Sequence, residues 1–188
     1  MIHKGIEFAI RAHGQQKRKG SDLLYIVHPF ETALILSQAG ASETLICAGL
    51  LHDTLEDTDV TYEQLRKEFG AEVADLVLSR SEDKEKTWEE RKSVTVNKIQ
   101  SLNYEQKLLL CADKLSNMRS IAADYQAVGE RLWERFRRGR EAQKWYYGAI
   151  ITELTQLAEL PMYQELKKLY QSIFEKIVCE NDILEKDL

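Results

Sequence analysis

Thr44–Asp57 reads TLICAGLLHDTLED. From Leu45 to Leu51 the segment is apolar on all sides of a helical wheel, so it belongs at the centre of a core. It then delivers His52 and Asp53, followed one turn later by Glu56 and Asp57. On a continuous helix His52 stacks with Glu56, and Asp53 with Asp57, at i,i+4 spacing. Three carboxylates leaving a core together repel one another unless a cation or protons sit among them. A bound metal is the economical answer.

Two other places break an apolar pattern in the same way. Asp113 directly follows the run Leu108–Ala112, where a lone buried carboxylate would be costly. Asn117 lies four residues on, on the same helical face. His28 stands in YIVHP, at a loop-to-helix junction just before Pro29, a good first helical residue. His28, His52, Asp53 and Asp113 make a set of two imidazoles and two carboxylates. Such nitrogen and oxygen ligands suit Mn, Fe, Co or Zn better than Ca. With open positions for water and substrate, and Glu56 and Asp57 beside it, the set is one for hydrolysis. Taken singly, each residue has a plainer reading: His28 as a helix-end residue, Asp113 as a partner of Lys114 or Arg119, Glu56 and Asp57 as a solvated turn.

The rest of the chain reads as helices. Helical spacing runs through residues 3–13 and from Pro29 to Gly40, and Ser42 caps the helix that ends in His52-Asp53. Thr61 with Gln64, and Thr87 with Glu90, form capping-box patterns, and Asn103 can cap the segment carrying Asp113. Residues 130–158 and 162–178 read as two further long helices separated near Pro161. Strand signals are weak throughout. The expected fold is all-α, a single-core helical bundle of irregular topology.

Composition narrows the function. The 188 residues are 44% hydrophobic and 30% charged with a formal net charge of −5, which excludes disordered and fibrous classes. An acidic chain is a poor general nucleic-acid binder, because phosphate affinity rests on Lys and Arg. Cys47, Cys111 and Cys179 form no C-x-x-C pair and no disulfide framework. The first twenty residues hold no long apolar run, and no segment is long enough to span a membrane. A reducing cytoplasm is the expected compartment; whether the chain forms a homo-oligomer is left open.

In order along the chain stand H-x-Q-Q-x-R-K (His13–Lys19), Y-I-x-H-P (Tyr25–Pro29), L-L-H-D-T-x-E-D-T (Leu50–Thr58), E-D-K (Glu82–Lys84), E-R-K (Glu90–Lys92) and A-D-K-L-x-N-x-R-S (Ala112–Ser120). This series resembles the hydrolase domain of RelA/SpoT homologues, and most closely the stand-alone small alarmone hydrolases of the HD superfamily. The resemblance implies an HD-domain fold over residues 1–155, with 156–188 as a helical extension packed on the same core. It implies a Mn2+-dependent hydrolase that removes the 3′-pyrophosphate of (p)ppGpp. By motif position His28, His52, Asp53 and Asp113 would be metal ligands, and Glu56 and Asp57 would position and activate the attacking water. Arg18 would pack on the guanine, with Lys19 beside it. Asn117 would lie near the sugar, and Lys84 near the mouth of the site. One turn departs from the pattern: GSDLLY has Leu24 where the family usually has Pro.

Two alternatives stand beside this reading. One keeps the site and changes the substrate to another nucleotide or to the 2′-phosphate of NADPH. The other is a catalytically idle module that senses a nucleotide. A basic and aromatic run, Arg131–Tyr147, reads mainly as core packing, with contacts to a polyphosphate substrate as a second reading and nucleic-acid stacking as a third.

Overall fold

The computed structural model describes residues 1–18, 20 and 22–175. Lys19 lies outside the described residues, as do Cys179 and the last residues of the helix expected to end at 178. Ten α-helices are described: α1 (Ile2–His13), α2 (Val27–Gln38), α3 (Glu43–Leu51), α4 (Thr54–Asp57), α5 (Tyr62–Phe69), α6 (Ala71–Leu78), α7 (Trp88–Lys98), α8 (Tyr104–Val128), α9 (Gly139–Glu153) and α10 (Pro161–Phe174). No strand occurs among the described residues, only one isolated bridge between Lys17 and Leu24.

The all-helical expectation holds, and so do its local causes. Ser42 accepts from the Leu45 amide, and Thr61, Thr87 and Asn103 each close a complete capping box. These caps occupy amide donors that the first turn cannot use internally. α3 lies in the centre, packed against α1, α2, α6 and α8, with Leu45, Cys47, Ala48, Leu50 and Leu51 buried. Fully burying a leucine contributes about 1.5–3 kcal/mol, so this short helix is held by its surroundings. Gly49 sets the spacing: a Cβ there would lie 2.7 Å from Leu36 Cδ1 and 3.3 Å from the Ala33 Cα, so α2 and α3 touch almost backbone to backbone.

Three expectations need correction. Helix α2 begins at Val27 rather than Pro29, so His28 sits inside its first turn. The HDTLED segment is not one helix: α3 ends at Leu51 and α4 starts at Thr54, with Asp53 at φ −97° and ψ −3° between them. Residues 130–158 also split, into a 3-10 segment at Gly129–Arg135, the helix α9, and a second 3-10 turn at Thr155–Leu157. Gly129 and Gly139 sit at φ 60° and 66° at these joints, a region open to glycine but poor for a continuing helix. Helix α10 packs on α8 and α9, and its buried face belongs to the same continuous core.

Candidate metal centre

The close contacts among α2, α3 and α8 bring three distant parts of the sequence together. His28, His52 and Asp113, all buried, each present a ligand atom within 4.8 Å of the others. The Nε2 atoms of His28 and His52 face each other at 3.2 Å. Asp53 Oδ2 lies 3.1 Å from His52 Nε2 and 3.5 Å from His28 Nε2. Asp113 Oδ1 lies 3.4 Å from His28 Nε2. The break between α3 and α4 produces this arrangement, because consecutive residues on an unbroken helix diverge by about 100°.

The outer hydrogen bonds fix both imidazoles. Ser116 donates its hydroxyl to Glu31 Oε2 at 2.7 Å, which leaves its oxygen to accept from His28 Nδ1 at 2.8 Å. His52 Nδ1 donates to the Gly49 carbonyl at 2.8 Å. Nδ1 of each ring is therefore committed outward, and both Nε2 atoms point inward at two carboxylates. Four acceptors facing one another need a cation or a proton between them, so the donor set fits a metal ion. The second oxygen of Asp113, Oδ2, is held by Lys114 at 2.9 Å and Arg80 at 3.3 Å.

The electrostatics follow from this packing. Burial holds His28 below the usual imidazole value. Burial also opposes charge on His52, but the Asp53 carboxylate outweighs it and pushes the group up to about 9. Burial would raise Asp53 and Asp113; His52 overrides it for the first and Lys114 for the second, so both stay below the usual carboxylate range. Glu56 is shifted upward, first by burial and then by repulsion from Glu82 and Asp57.

The helix break falls between His52 and Glu56, but Asp57 keeps its i,i+4 relation to Asp53: its amide donates to the Asp53 carbonyl at 2.8 Å, and the Tyr25 hydroxyl reaches both carboxylates. Glu56 accepts from the Glu82 amide at 3.3 Å and lies 3.7 Å from Arg91. Asp57 pairs with Lys84 at 3.0 Å. Asn117 donates to Asp113 Oδ1 at 2.8 Å and accepts from Arg18 at 3.0 Å, so Arg18 reaches the centre through one intermediary. Arg119, offered above as a partner for Asp113, pairs with Glu165 and Glu31 instead.

Sequence reasoning missed Tyr25, Arg80 and Ser116 as site residues. The Tyr25 hydroxyl donates to Asp53 Oδ2 at 2.6 Å and lies 3.4 Å from Asp57 Oδ2. A tyrosine three residues before a candidate ligand was the available signal. Nothing in SRSED distinguished Arg80.

Two clefts, each ≈ 380 Å³, connect to this set of residues, the first through Tyr25 and Asn117 and the second through Arg91, which lies 3.7 Å from Glu56. The first is lined by Arg18, Tyr25, Asn117, Phe136 and Tyr147 among others. The second is cationic, with Lys86, Arg91, Arg137 and Arg138 around Trp88 and Phe136. Phe136 is their shared wall. The basic and aromatic run is thus divided: Trp133, Tyr146 and Tyr147 are buried, while Arg135 pairs with Asp124 and Arg138 with Glu89. A larger groove of ≈ 740 Å³ lies between α9 and α10, away from these residues.

A helical bundle with two histidines and two aspartates gathered at an H-D break is the architecture of the HD domain. The HD-domain family model matches residues 5–138, and the chain belongs to this family. Among its relatives are guanosine-3′,5′-bis(diphosphate) 3′-pyrophosphohydrolases. That of Aquifex aeolicus is 37% identical over 123 residues, which cover 64% of this chain and 18% of that protein. The human one, MESH1, is 41% identical over 118 residues, 61% of this chain and 66% of that protein. The chain thus spans under two thirds of each of these two relatives. In structure it is similar to lmo0812 of Listeria monocytogenes, with a TM-score of 0.75 and 41% identity over 79% of this chain and 99% of that one. It also resembles a metazoan SpoT ortholog described as hydrolysing ppGpp, with a TM-score of 0.77 and 27% identity over 90% of this chain and 93% of that one. No described helix is long and apolar enough to cross a membrane.

Proposed function

We propose that this chain is a metal-dependent phosphohydrolase that removes the 3′-pyrophosphate of (p)ppGpp, with Mn2+ as its metal. The observation that carries the reading is the pair of inward Nε2 atoms, 3.2 Å apart, with Asp53 and Asp113 closing on them. His28, His52, Asp53 and Asp113 would hold the ion, which when bound supplies charge to polarise a phosphoryl oxygen and acidify water. The described residues from 156 to 175 extend the core that carries this site. The relatives named for the same hydrolysis supply the substrate class.

Water attacks the phosphorus joined to the ribose 3′ oxygen. The bond from phosphorus to that oxygen breaks, pyrophosphate leaves with the water's oxygen, and the sugar oxygen takes a proton to give GDP. Glu56 receives the water's proton; burial and the neighbouring carboxylates shift its carboxyl upward, the direction that strengthens a carboxylate as a base. Asp57, steadied by Tyr25 and Lys84, orients the water. Arg18 stacks on the base and Asn117 meets the sugar. Lys84 and the cleft of Lys86, Arg91, Arg137 and Arg138 face the phosphates.

The test is metal analysis of the purified protein with product analysis on ppGpp. GDP and pyrophosphate should appear, with far less release from GTP. His52→Ala and Asp53→Ala should lose both metal and turnover. Glu56→Gln combined with Asp57→Asn should keep the metal and lose turnover. Release of single phosphates, or activity confined to the 2′-phosphate of NADPH, would replace the substrate; metal without any turnover would make the chain a binding module.

A further inference from the structure

The first cleft contains a feature that the proposed reaction does not use. Beyond Arg18, Tyr25 and Asn117, its walls are Ile121, Leu132, Phe136 and Tyr147, flat or apolar surfaces suited to a ring. At the far end stands a carboxylate, Asp124, 3.1 Å from the Arg135 guanidinium. Asp124 is the one acidic side chain among the described lining residues.

Resting on the nucleotide reading above, we infer that Asp124 and Arg135 read the hydrogen-bonding edge of the base and set a preference for guanine over adenine. Asp124 lies seven residues beyond Asn117 on α8, two turns along the same face, or roughly 10 Å. That separation matches the reach from a ribose to the outer edge of its purine. Arg135 Nη1 engages only Oδ2 of Asp124, and Oδ1 accepts no hydrogen bond among the described residues. The arginine is held from behind: a Cβ on Gly20 would lie 3.0 Å from Arg135 Cδ, so the loop that carries Arg18 rests on its stem. Arg18 and Arg135 therefore belong to one wall.

The chemistry selects the base. Guanine presents N1–H and N2–H2 as adjacent donors beside the O6 acceptor. A carboxylate accepts both donors in a bidentate pair, and a neighbouring guanidinium donates to O6. Adenine offers one N6–H2 group and turns its N1 lone pair toward the carboxylate. A charged pair that is half satisfied in this way discriminates strongly, because the wrong base leaves its groups without partners.

The experiment compares kcat/KM for guanosine and adenosine 3′,5′-bis(diphosphates), and calorimetric binding of GDP and ADP to the metal-loaded protein. The proteins are the wild type, Asp124→Ala and Asp124→Asn. The asparagine variant keeps the side chain's shape but replaces one of the two acceptor oxygens by an NH2 donor, so it cannot form the bidentate pair and guards against misfolding of the alanine variant. Wild type should favour guanine in both measurements. Each variant should lower the guanine-to-adenine ratio by about tenfold or more, through KM and Kd, with bound metal unchanged. An unchanged ratio, or equal losses for both bases, overturns the inference. The binding arm separates it from the proposed reaction. GDP preference that depends on Asp124 in a protein without turnover sustains the inference while the hydrolase reading falls. Turnover of ppGpp with a ratio indifferent to Asp124 does the reverse.

Discussion

Ser116 contributes one hydroxyl, yet it decides which nitrogen of His28 faces the centre. Its hydrogen goes to Glu31, so its oxygen can only accept from His28 Nδ1. Without it the buried ring is free to change tautomer or rotate. Ser116→Ala should weaken metal binding about 10–100-fold while the far-UV dichroism stays unchanged, as read by metal titration of the stripped protein. A variant with wild-type affinity would mean that packing alone holds the ring. The ligand set was readable in the sequence because each member interrupts an apolar stretch, and interruption is costly enough to demand a reason. Ser116, Arg80 and Tyr25 were not readable in that way. A serine within a helix, or a tyrosine in a loop, breaks no pattern. Their roles arise from segments that meet only in three dimensions, with His28 and Ser116 88 positions apart.

Elements place these residues through their spacing, and Gly49 governs one such spacing. Gly49→Ala would put a methyl group against Leu36 Cδ1 and the backbone of Ala33. The expected cost is about 1–3 kcal/mol from forced repacking. Since α2 carries His28 and α3 leads to His52, metal affinity should fall together with stability. Thermal melts and metal titration of this variant check both; loss of stability alone would show that the histidines move as a unit. The connection from α6 to α7 is held differently. Glu82 binds Lys92 at 2.9 Å through both oxygens and Thr95 at 3.0 Å. Burial opposes its charge, but Lys92 outweighs burial, so its carboxyl sits below the usual value. A depressed carboxyl contributes stability above its unfolded value, and that stability is lost as pH falls through the folded one. Glu82→Gln should therefore cost about 1.5–3 kcal/mol at neutral pH and progressively less under acid, measured by denaturant titration across pH. A constant difference at all pH values would remove the ionic explanation. Capped elements were foreseen well, since Thr61, Thr87 and Asn103 carry their signals locally. The break at His52-Asp53 was not, because neither residue is a helix breaker; across the joint the Thr54 hydroxyl donates to the Leu51 carbonyl at 2.7 Å, a contact no sequence pattern announces.

Across the whole molecule, the candidate metal centre draws together α2, the α3–α4 break and α8, segments whose residues His28 and Asp113 lie 85 positions apart. Around it the core is continuous from α1 to α10, so the bundle should unfold as one unit. An ion that binds only the folded arrangement stabilises it by mass action, about 2.7 kcal/mol at a hundred times its dissociation constant. For a domain of this size each kcal/mol moves the midpoint by about 2–4 °C. Saturating Mn2+ should thus raise the Tm of the stripped protein by roughly 5–10 °C in a single cooperative transition. His52→Ala should abolish that increment, because the ligands no longer converge on one point. Glu56→Gln should preserve it, since Glu56 is anchored to the Glu82 amide rather than to the imidazoles. Calorimetric scans of the three proteins with and without Mn2+ decide the matter. An increment that survives His52→Ala would place the stabilising ion elsewhere on this acidic chain, and one lost in Glu56→Gln would make that carboxylate a ligand rather than the base.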